Sequence, residues 1–482
     1  MNIHRRQFIL GPDPINTIPG WVQAVIPDIG YLCHCPELPT TSVQDADGYN
    51  WILLGSPIQT DANRPDPEIE ISSATSHTIQ DLYQGWAGRW LLIGRGKLHM
   101  DSSGLLGCFY SARQNAAGKS ELWVSSSAAL LSEVLGFENK LMRSISHRVG
   151  IDWYPPPGSC MREIRRLLPS QILELDGGYL IPRRLIPEIS QNLSYEEILD
   201  RLQSYLVTTL RNAVRNRDRI WLPLTAGYDS RLLLAAARCA GISVRTCTHS
   251  LPYMSVADRT LPPKLAEAAG FSHSMFYGKG HRKDLAALFE KHTGGMSADR
   301  DSYYISREYF NYIQKGDLIL GGGCFEIGRC YYWSKFSGSG IIPNVPGVDI
   351  ILNVLKEGSN PVLIQALNEW IDWTRRTPHQ ELDWRDRFYL EQRLSGWLSS
   401  MEQSLDLIDA DRLYIANSHY YFAHVFRIPE EKRRVSQHHI DLIARMAPEL
   451  MEFPFNPVGP ILQRISRRIL ITADYFQSRL GL

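Results

Sequence analysis

Ile220-Trp-Leu-Pro-Leu-Thr-Ala-Gly-Tyr-Asp-Ser-Arg-Leu-Leu-Leu-Ala-Ala-Ala237 is the stretch on which the reading of this chain turns. Its apolar start, Ile220 to Leu224, predicts a short buried strand. A turn of small and polar residues follows, Thr225 to Ser230. Arg231 to Ala240 is rich in Leu and Ala, the strongest helix formers, and Gly241 stands where such a helix would stop. Strand, tight turn and helix aim the backbone N–H groups of Ala226 to Ser230 and a helix dipole at one point, which suits phosphate. The turn lacks the Gly-Lys-Ser/Thr of a Walker A loop. The chain's one Gly-Lys-Ser, Gly118 to Ser120, has Arg113 where that motif needs glycine, and reads as a hairpin turn.

Working outward, 482 residues exceed one ordinary core and predict two or three domains. With 51 basic against 51 acidic residues, no global field favours nucleic acid or an anionic membrane. Apolar content of 44% and charged content of 21% are those of a soluble globular protein. The apolar part of Met1–Gly11 is too short for a signal peptide, and no run approaches the roughly 18 apolar residues of a membrane span. Eight scattered cysteines, with a lone Cys33-x-Cys35, read as free thiols in a reducing cytoplasm rather than as a zinc site.

Residues 1–185 predict a layered β structure, with runs at Tyr49–Leu54, Arg89–Ile93, Leu105–Tyr110, Glu121–Ser125 and Ile172–Leu175. Only Ser126–Leu135 and Ile79–Tyr83 look helical there. Ile181–Leu193 reads as a linker. Ser194-Tyr-Glu-Glu197 is a capping box, opening a helix with Ile198, Leu202, Leu206, Leu210 and Val214 on one face. Ile242–Thr248 predicts a second strand, Asp258–Ala269 a crossover helix and Asp317–Leu320 a third strand, hence a parallel sheet with ligands beyond its C-terminal edge. The third strand runs into Gly321-Gly-Gly-Cys-Phe-Glu-Ile-Gly328, where three glycines permit close backbone approach. Residues 350–482 look mainly helical. Arg385, Arg387, Arg393, Trp397 and Glu402, and Arg433-Arg434 with His438-His439, read as solvated helix faces.

The turn Thr225–Ser230 resembles the pyrophosphate loop of PP-loop ATP pyrophosphatases, Ser-Gly-Gly-x-Asp-Ser, with Gly227, Asp229 and Ser230 matching. Trp86–Ile93, Met100–Tyr110, Leu122–Leu131 and Arg165–Ser170 resemble, in order, segments of the amidotransferase domain of asparagine synthetases. Asp258–His273 resembles a further segment of that family. The resemblance implies a degenerate, Ntn-hydrolase-like α+β domain over 1–187 and an α/β ATP pyrophosphatase domain over 188–482, with a parallel sheet and a helical C-terminal part. It implies ATP on Leu224, Thr225, Ala226, Gly227, Tyr228, Asp229, Ser230, Gly321, Gly322 and Gly323. Asp229 and Glu326 would be the catalytic carboxylates that hold Mg2+. The chain departs from the family in three places. The glutaminase cysteine at the chain start is missing, the first cysteine being Cys33; Gly323 replaces the first loop Glu; and a late Lys is absent, Lys432 being the nearest.

The expectation is a glutamine-independent synthetase that activates a carboxylate as its acyl-adenylate and joins it to an amine, closest to the glutaminase-dead members such as β-lactam synthetase and lasso-peptide cyclase. Its partners would be small-molecule or peptide carboxylates and amines, with self-association left open. A glutamine-using amidotransferase and a nucleotide-binding scaffold without catalysis are the alternatives.

Overall fold

The computed structural model describes residues 3–15, 18–75, 78–114, 120–138, 153–187, 192–251, 254–277, 283–296, 309–336, 344–356, 360–379, 382–458 and 469. The hairpin turn expected at Gly118–Ser120 lies largely outside them, as do 188–191 of the expected linker.

The N-terminal strands are β1 (Phe8–Gly11), β2 (Val22–Ile26), β3 (Gly30–His34), β4 (Thr40–Gln44), β5 (Asn50–Gln59), β6 (Trp86–Gly94), β7 (Lys97–Met100), β8 (Phe109–Gln114), β9 (Ser120–Ser125), β10 (Arg165–Arg166), β11 (Gln171–Glu174) and β12 (Leu180–Pro182). They form two antiparallel six-stranded sheets, β10-β8-β9-β1-β3-β2 and β12-β11-β7-β6-β5-β4. Side chains alternate along a strand, and the sequence uses both faces. On β6, Leu91 and Ile93 enter the core between the sheets with Phe8, Leu10 and Leu32. Trp90 and Leu92 face outward, under the helices Pro67–Ser73 and Ile79–Tyr83 with Ile71 and Tyr83. Ile9 and Cys33 turn outward from the other sheet, against Leu130 and Leu131 of the helix Ala128–Leu135. Helix, sheet, sheet and helix are thus stacked.

The third sheet is parallel and five-stranded, β15-β14-β13-β16-β17, from β13 (Ile220–Pro223), β14 (Arg245–His249), β15 (Ser272–Phe276), β16 (Asp317–Leu320) and β17 (Ala410–Leu413). Both faces are covered, as a parallel sheet requires: Leu222, Leu318 and Leu320 face one core, Trp221, Cys247 and Ile319 the other. The capping box at Ser194 forms, and Ile198, Leu202, Leu206 and Leu210 of the helix Tyr195–Ala213 are buried.

Three expectations are corrected. Ile181 and Pro182 are not linker but pair with Ile172 and Gln171 in the β11–β12 hairpin, and Leu185 and Ile186 are buried. The run Leu105–Tyr110 is not one strand: β8 begins only at Phe109. The charged C-terminal clusters are not solvated faces, Arg434 apart, which is exposed. Arg387, Glu402, His438 and His439 are fully buried, and Arg387–Glu391, Arg412–Glu402 and Arg433–Asp386 form ion pairs at 2.9, 2.7 and 2.9 Å. Helical spacing cannot separate a solvated charge from a paired, buried one, because pairing depends on a partner distant in sequence.

The turn after β7 is organised by Asp101. Its fully buried carboxylate accepts the backbone N–H groups of Trp90, Ser103, Leu105 and Leu106 at 3.3, 3.1, 2.9 and 3.2 Å. The Asn417 amide joins them at 2.8 Å and also reaches the Gly88 carbonyl at 2.7 Å. Asp101→Ala leaves several buried donors unpaired, each costing about 1–3 kcal/mol. Urea unfolding should show a loss of about 3 kcal/mol or more; a loss under about 1 kcal/mol would mean that water replaces the carboxylate.

Candidate functional site

In a doubly wound sheet the ligand crevice opens where the strand order reverses direction, beyond the C-terminal strand ends. Here that point lies between β13 and β16. The turn Leu224–Gly227 leaves β13 there, and the loop Gly321–Cys324 leaves β16 beside it. Both sequence-selected segments therefore flank one crevice.

The helix Tyr228–Ala240 starts at Gly227, with no side chain capping it, and ends at Gly241 in the left-handed conformation. The first-turn N–H groups of Tyr228, Asp229 and Ser230 have no intrahelical partners. The upstream groups are engaged. Ala226 N–H donates to the Asp258 carboxylate at 3.0 Å and Gly227 N–H to the Thr225 hydroxyl at 3.2 Å. Thr225 and Ser230 hydroxyls lie 2.9 Å apart, and Thr225 N–H donates to Ser230 Oγ at 3.0 Å. The expectation that every N–H from Ala226 to Ser230 points at a ligand is thus narrowed to the helical ones. Leu224 is buried, with its N–H and carbonyl bonded to Cys247 O and Thr248 Oγ1, so it ends the strand and does not face the crevice.

The glycines divide similarly. A Cβ on Gly321 or Gly323 would stand 2.3 or 2.8 Å from the Tyr414 ring, so packing on Tyr414 accounts for both. Gly322 alone faces the turn: a Cβ there would lie 3.7 Å from the Ser230 nitrogen.

Asp229 keeps 26% of its side chain open. Its Oδ2 accepts from Arg329 at 3.1 Å, and its Oδ1 lies 3.1 Å from His439 Nε2. Burial pushes this carboxyl up, but His439 and Arg329 outweigh it and hold it below the ordinary value of 3.8. Arg329 also donates to Ser436 Oγ at 2.9 Å and lies over the Tyr228 ring. Glu326, in the 3-10 turn Phe325–Arg329, accepts the Tyr389 hydroxyl at 2.6 Å. Burial, then Glu326, push that hydroxyl well above its ordinary value, so Tyr389 stays a donor.

A segment near the C-terminus closes one side. Arg231 donates to the carbonyls of Leu450, Phe453, Pro454 and Ala226 at 3.2, 2.7, 2.9 and 3.3 Å. Asn456 N–H reaches Ala226 O at 3.1 Å, and Phe455 stacks on Tyr228 at 4.6 Å. Arg329, His439, Tyr389, Asp258, Arg231 and Phe455 were not singled out from sequence as site residues: Arg329, His439, Tyr389 and Phe455 come from distant segments without a motif, Arg231 read only as the start of a helix, and Asp258 only as part of a crossover helix.

No group of three or more His, Cys, Asp or Glu is placed to hold a metal among the described residues. Mg2+ asks for less: one or two carboxylates, with water and phosphate completing its shell. A carboxylate offers about four lone-pair positions, so Asp229 and Glu326 each keep acceptor capacity beyond their present partners. None of the eight cysteines is in a disulfide. Burial pushes up the Cys33 thiol; burial, with the hydrogen bond to Glu37, pushes the Cys35 thiol to about 11. No helix among the described residues is long and apolar enough to cross a membrane.

No family model matches the chain, and no curated protein matches it. Among solved structures it is similar to the NMN synthetase of Francisella tularensis, at 12% identity and a TM-score of 0.20, over 40% of this chain and 98% of that one. It is also similar to the glutamine-dependent NAD+ synthetase of Acinetobacter baumannii in complex with ADP, at 12% identity and a TM-score of 0.21, over 68% and 69% of the two chains. At these TM-scores neither structure contributes to the reading of the site.

The Asp229 pairing has a pH signature. A depressed folded pKa stabilises the fold above the unfolded value of 3.8, and that contribution is lost as pH falls through the lower folded value. Urea unfolding of wild type and Asp229→Asn should therefore differ most near neutrality and converge below pH 3.8. A gap constant across the series would show that Asp229 is not held by Arg329 and His439.

Proposed function

We propose that this chain is an ATP-dependent, AMP-forming synthetase of the asparagine synthetase-like kind, which activates a carboxylate as its acyl-adenylate and transfers the acyl group to an amine without glutamine. One observation carries the reading. The turn after β13 and the glycine loop after β16 flank the reversal point of a parallel sheet, and the first turn of Tyr228–Ala240 opens into it.

In this reading the N–H groups of Tyr228, Asp229 and Ser230 bind phosphate oxygens, and the helix dipole adds to them. Arg329, 23% exposed at the crevice edge, offers a second donor for the pyrophosphate. Asp229 and Glu326 would hold Mg2+, which when bound neutralises charge on the departing pyrophosphate. A substrate carboxylate oxygen attacks the α-phosphorus as the bond to the bridging oxygen breaks. The amine then attacks the acyl carbon, and AMP leaves with the electron pair. The N-terminal sheets correspond to the degenerate glutaminase-like domain over 1–187, and the parallel sheet and helices to the synthetase domain over 188–482. Cys33 has no exposed thiol to offer glutamine.

A noncatalytic nucleotide-binding scaffold is the competing reading, and the internal pairing of Ala226 with Asp258 and of Asp229 with Arg329 and His439 favours it. ATP–pyrophosphate exchange across a panel of carboxylic acids separates the two. Carboxylate-dependent exchange, reduced on the order of 100-fold by Asp229→Asn or Glu326→Ala without loss of fold, is expected. Magnesium-dependent ATP binding without exchange for any acid would leave the scaffold.

Glutamine is not expected to serve as the nitrogen donor. Protein incubated with glutamine should release no glutamate above the uncatalysed rate, and enzyme-dependent glutamate that disappears in Cys33→Ala would reverse this.

A further inference from the structure

Behind Asp229 lies a pair of histidines whose part in the site is not yet accounted for. His438 and His439 stand in the first turn of the helix Gln437–Met446, and both are fully buried. No ring nitrogen of either has a hydrogen-bond partner. His438 is wedged by packing, since a Cβ on Gly328 would stand 2.9 Å from its Nε2. His439 is aimed at the crevice. The His438 ring lies 4.4 Å from it, and the rings of Tyr228 and Phe325 meet it edge-on at 6.4 Å each. Its Nε2 stands 3.1 Å from Asp229 Oδ1. Arg329 fixes that spacing, because it bonds Asp229 Oδ2 at 3.1 Å and also Ser436 Oγ at 2.9 Å, one turn before His439.

Oδ1 and Nε2 are close without being aligned for a hydrogen bond, and Oδ1, like the ring, has no hydrogen-bond partner. A neutral imidazole carries one proton, so one of its nitrogens presents a lone pair. With the proton on Nδ1, two lone pairs face each other across the 3.1 Å gap, which is repulsive unless a cation sits between them. Two ligands about 2.1 Å from one octahedral ion and at right angles to each other are about 3.0 Å apart. We propose that Asp229 Oδ1 and His439 Nε2 hold one divalent cation together, giving the ion that arrives with the phosphates a nitrogen ligand beside its carboxylate oxygen. Mg2+ is a hard ion that takes oxygen, whereas imidazole suits first-row transition ions. The ion preferred at this site is therefore one of those, for which Mn2+ is the probe. This rests on the adenylating reading above and changes the ligand set and the preference of its ion.

The test is pulsed EPR of Mn2+ on the full chain with saturating ATP analogue, beside calorimetry of Mn2+ and Mg2+. The wild-type spectrum should carry the coupling of a directly bound imidazole nitrogen, and labelling histidine with the heavy nitrogen isotope should change it. Calorimetry should show Mn2+ bound about tenfold or more tighter than Mg2+, once the preference of the nucleotide alone is subtracted. His439→Gln offers an amide in place of the ring and should lose the nitrogen coupling and most of that preference while still binding ATP. His438→Gln should retain both, which controls for a disturbed helix start. Mn2+ bound with the analogue but without nitrogen coupling in wild type overturns the assignment of His439 with no variant needed, and leaves the nucleotide reading standing. A coupling unchanged in His439→Gln overturns it as well. Failure of wild type to bind ATP overturns both.

Discussion

The parallel pairing of β13 with β16 is the constraint from which the crevice follows. Ile220 stands opposite Leu318 and Trp221 opposite Ile319, so the two strands end level and release their loops side by side. The register is pinned by polar as well as apolar contacts: the Trp221 indole donates to Asp317 at 3.0 Å, and Leu318 N–H to Arg219 O at 2.9 Å. A slip of one residue would turn Trp221 out of its cluster with Cys247 and Phe276 and Leu222 out of the opposite core. It would also carry Gly322 away from Ser230. The short distance between these segments is therefore a property of sheet register, not of loop conformation.

The antiparallel sheets bear on the helix that carries Tyr389. Gln403 donates to Ser126 O at 2.7 Å, Ser399 to Gly104 O at 2.9 Å, and Arg166 to Ser400 at 3.0 Å. Arg89 holds Asp406 through two bonds at 2.9 and 3.0 Å. All four contacts land on the helical stretch 399–406 that continues the π-helical segment Tyr389–Leu398. Glu391, within that segment, accepts from Ser170 N–H at 3.3 Å and from Trp370 at 2.8 Å. The N-terminal sheets thus fix the position of Tyr389 and Arg393 whatever chemistry their own residues do or do not perform.

How far the sequence foretold this depends on whether each feature is local. The stretch from Ile220 to Gly241 was legible because strand, turn, helix and stop are each set by neighbours in sequence, and the observed helix runs from Tyr228 to Ala240. The capping box at Ser194 was legible for the same reason. Asp229 and Glu326 follow strands that are neighbours in the parallel sheet, β13 and β16. Their partners were not legible. His439 lies 210 positions from Asp229 and Tyr389 lies 63 from Glu326, and no spacing rule reaches so far. Gly321 and Gly323 carry a reason to be glycine that spacing could not show: a ring from β17's end, Tyr414, occupies the space a Cβ would need.

The charges around the crevice alternate in a way that bears on the adenylating reading. Arg329 and His439 face Asp229, while Arg393 stands near Glu326 without touching an acid. Two half-buried carboxylates cannot stay unpaired at low dielectric cost, so the free protein sets Arg329 and the His439 ring against one of them. A polyphosphate entering beside Tyr228 would compete for Arg329, whose fork suits phosphate as well as carboxylate. Each bond Arg329 gives to phosphate frees a lone pair on Asp229 for a cation arriving with that phosphate. In the adenylating reading this pairing would be a resting arrangement, in which the same charges serve structure until ligand charges replace them.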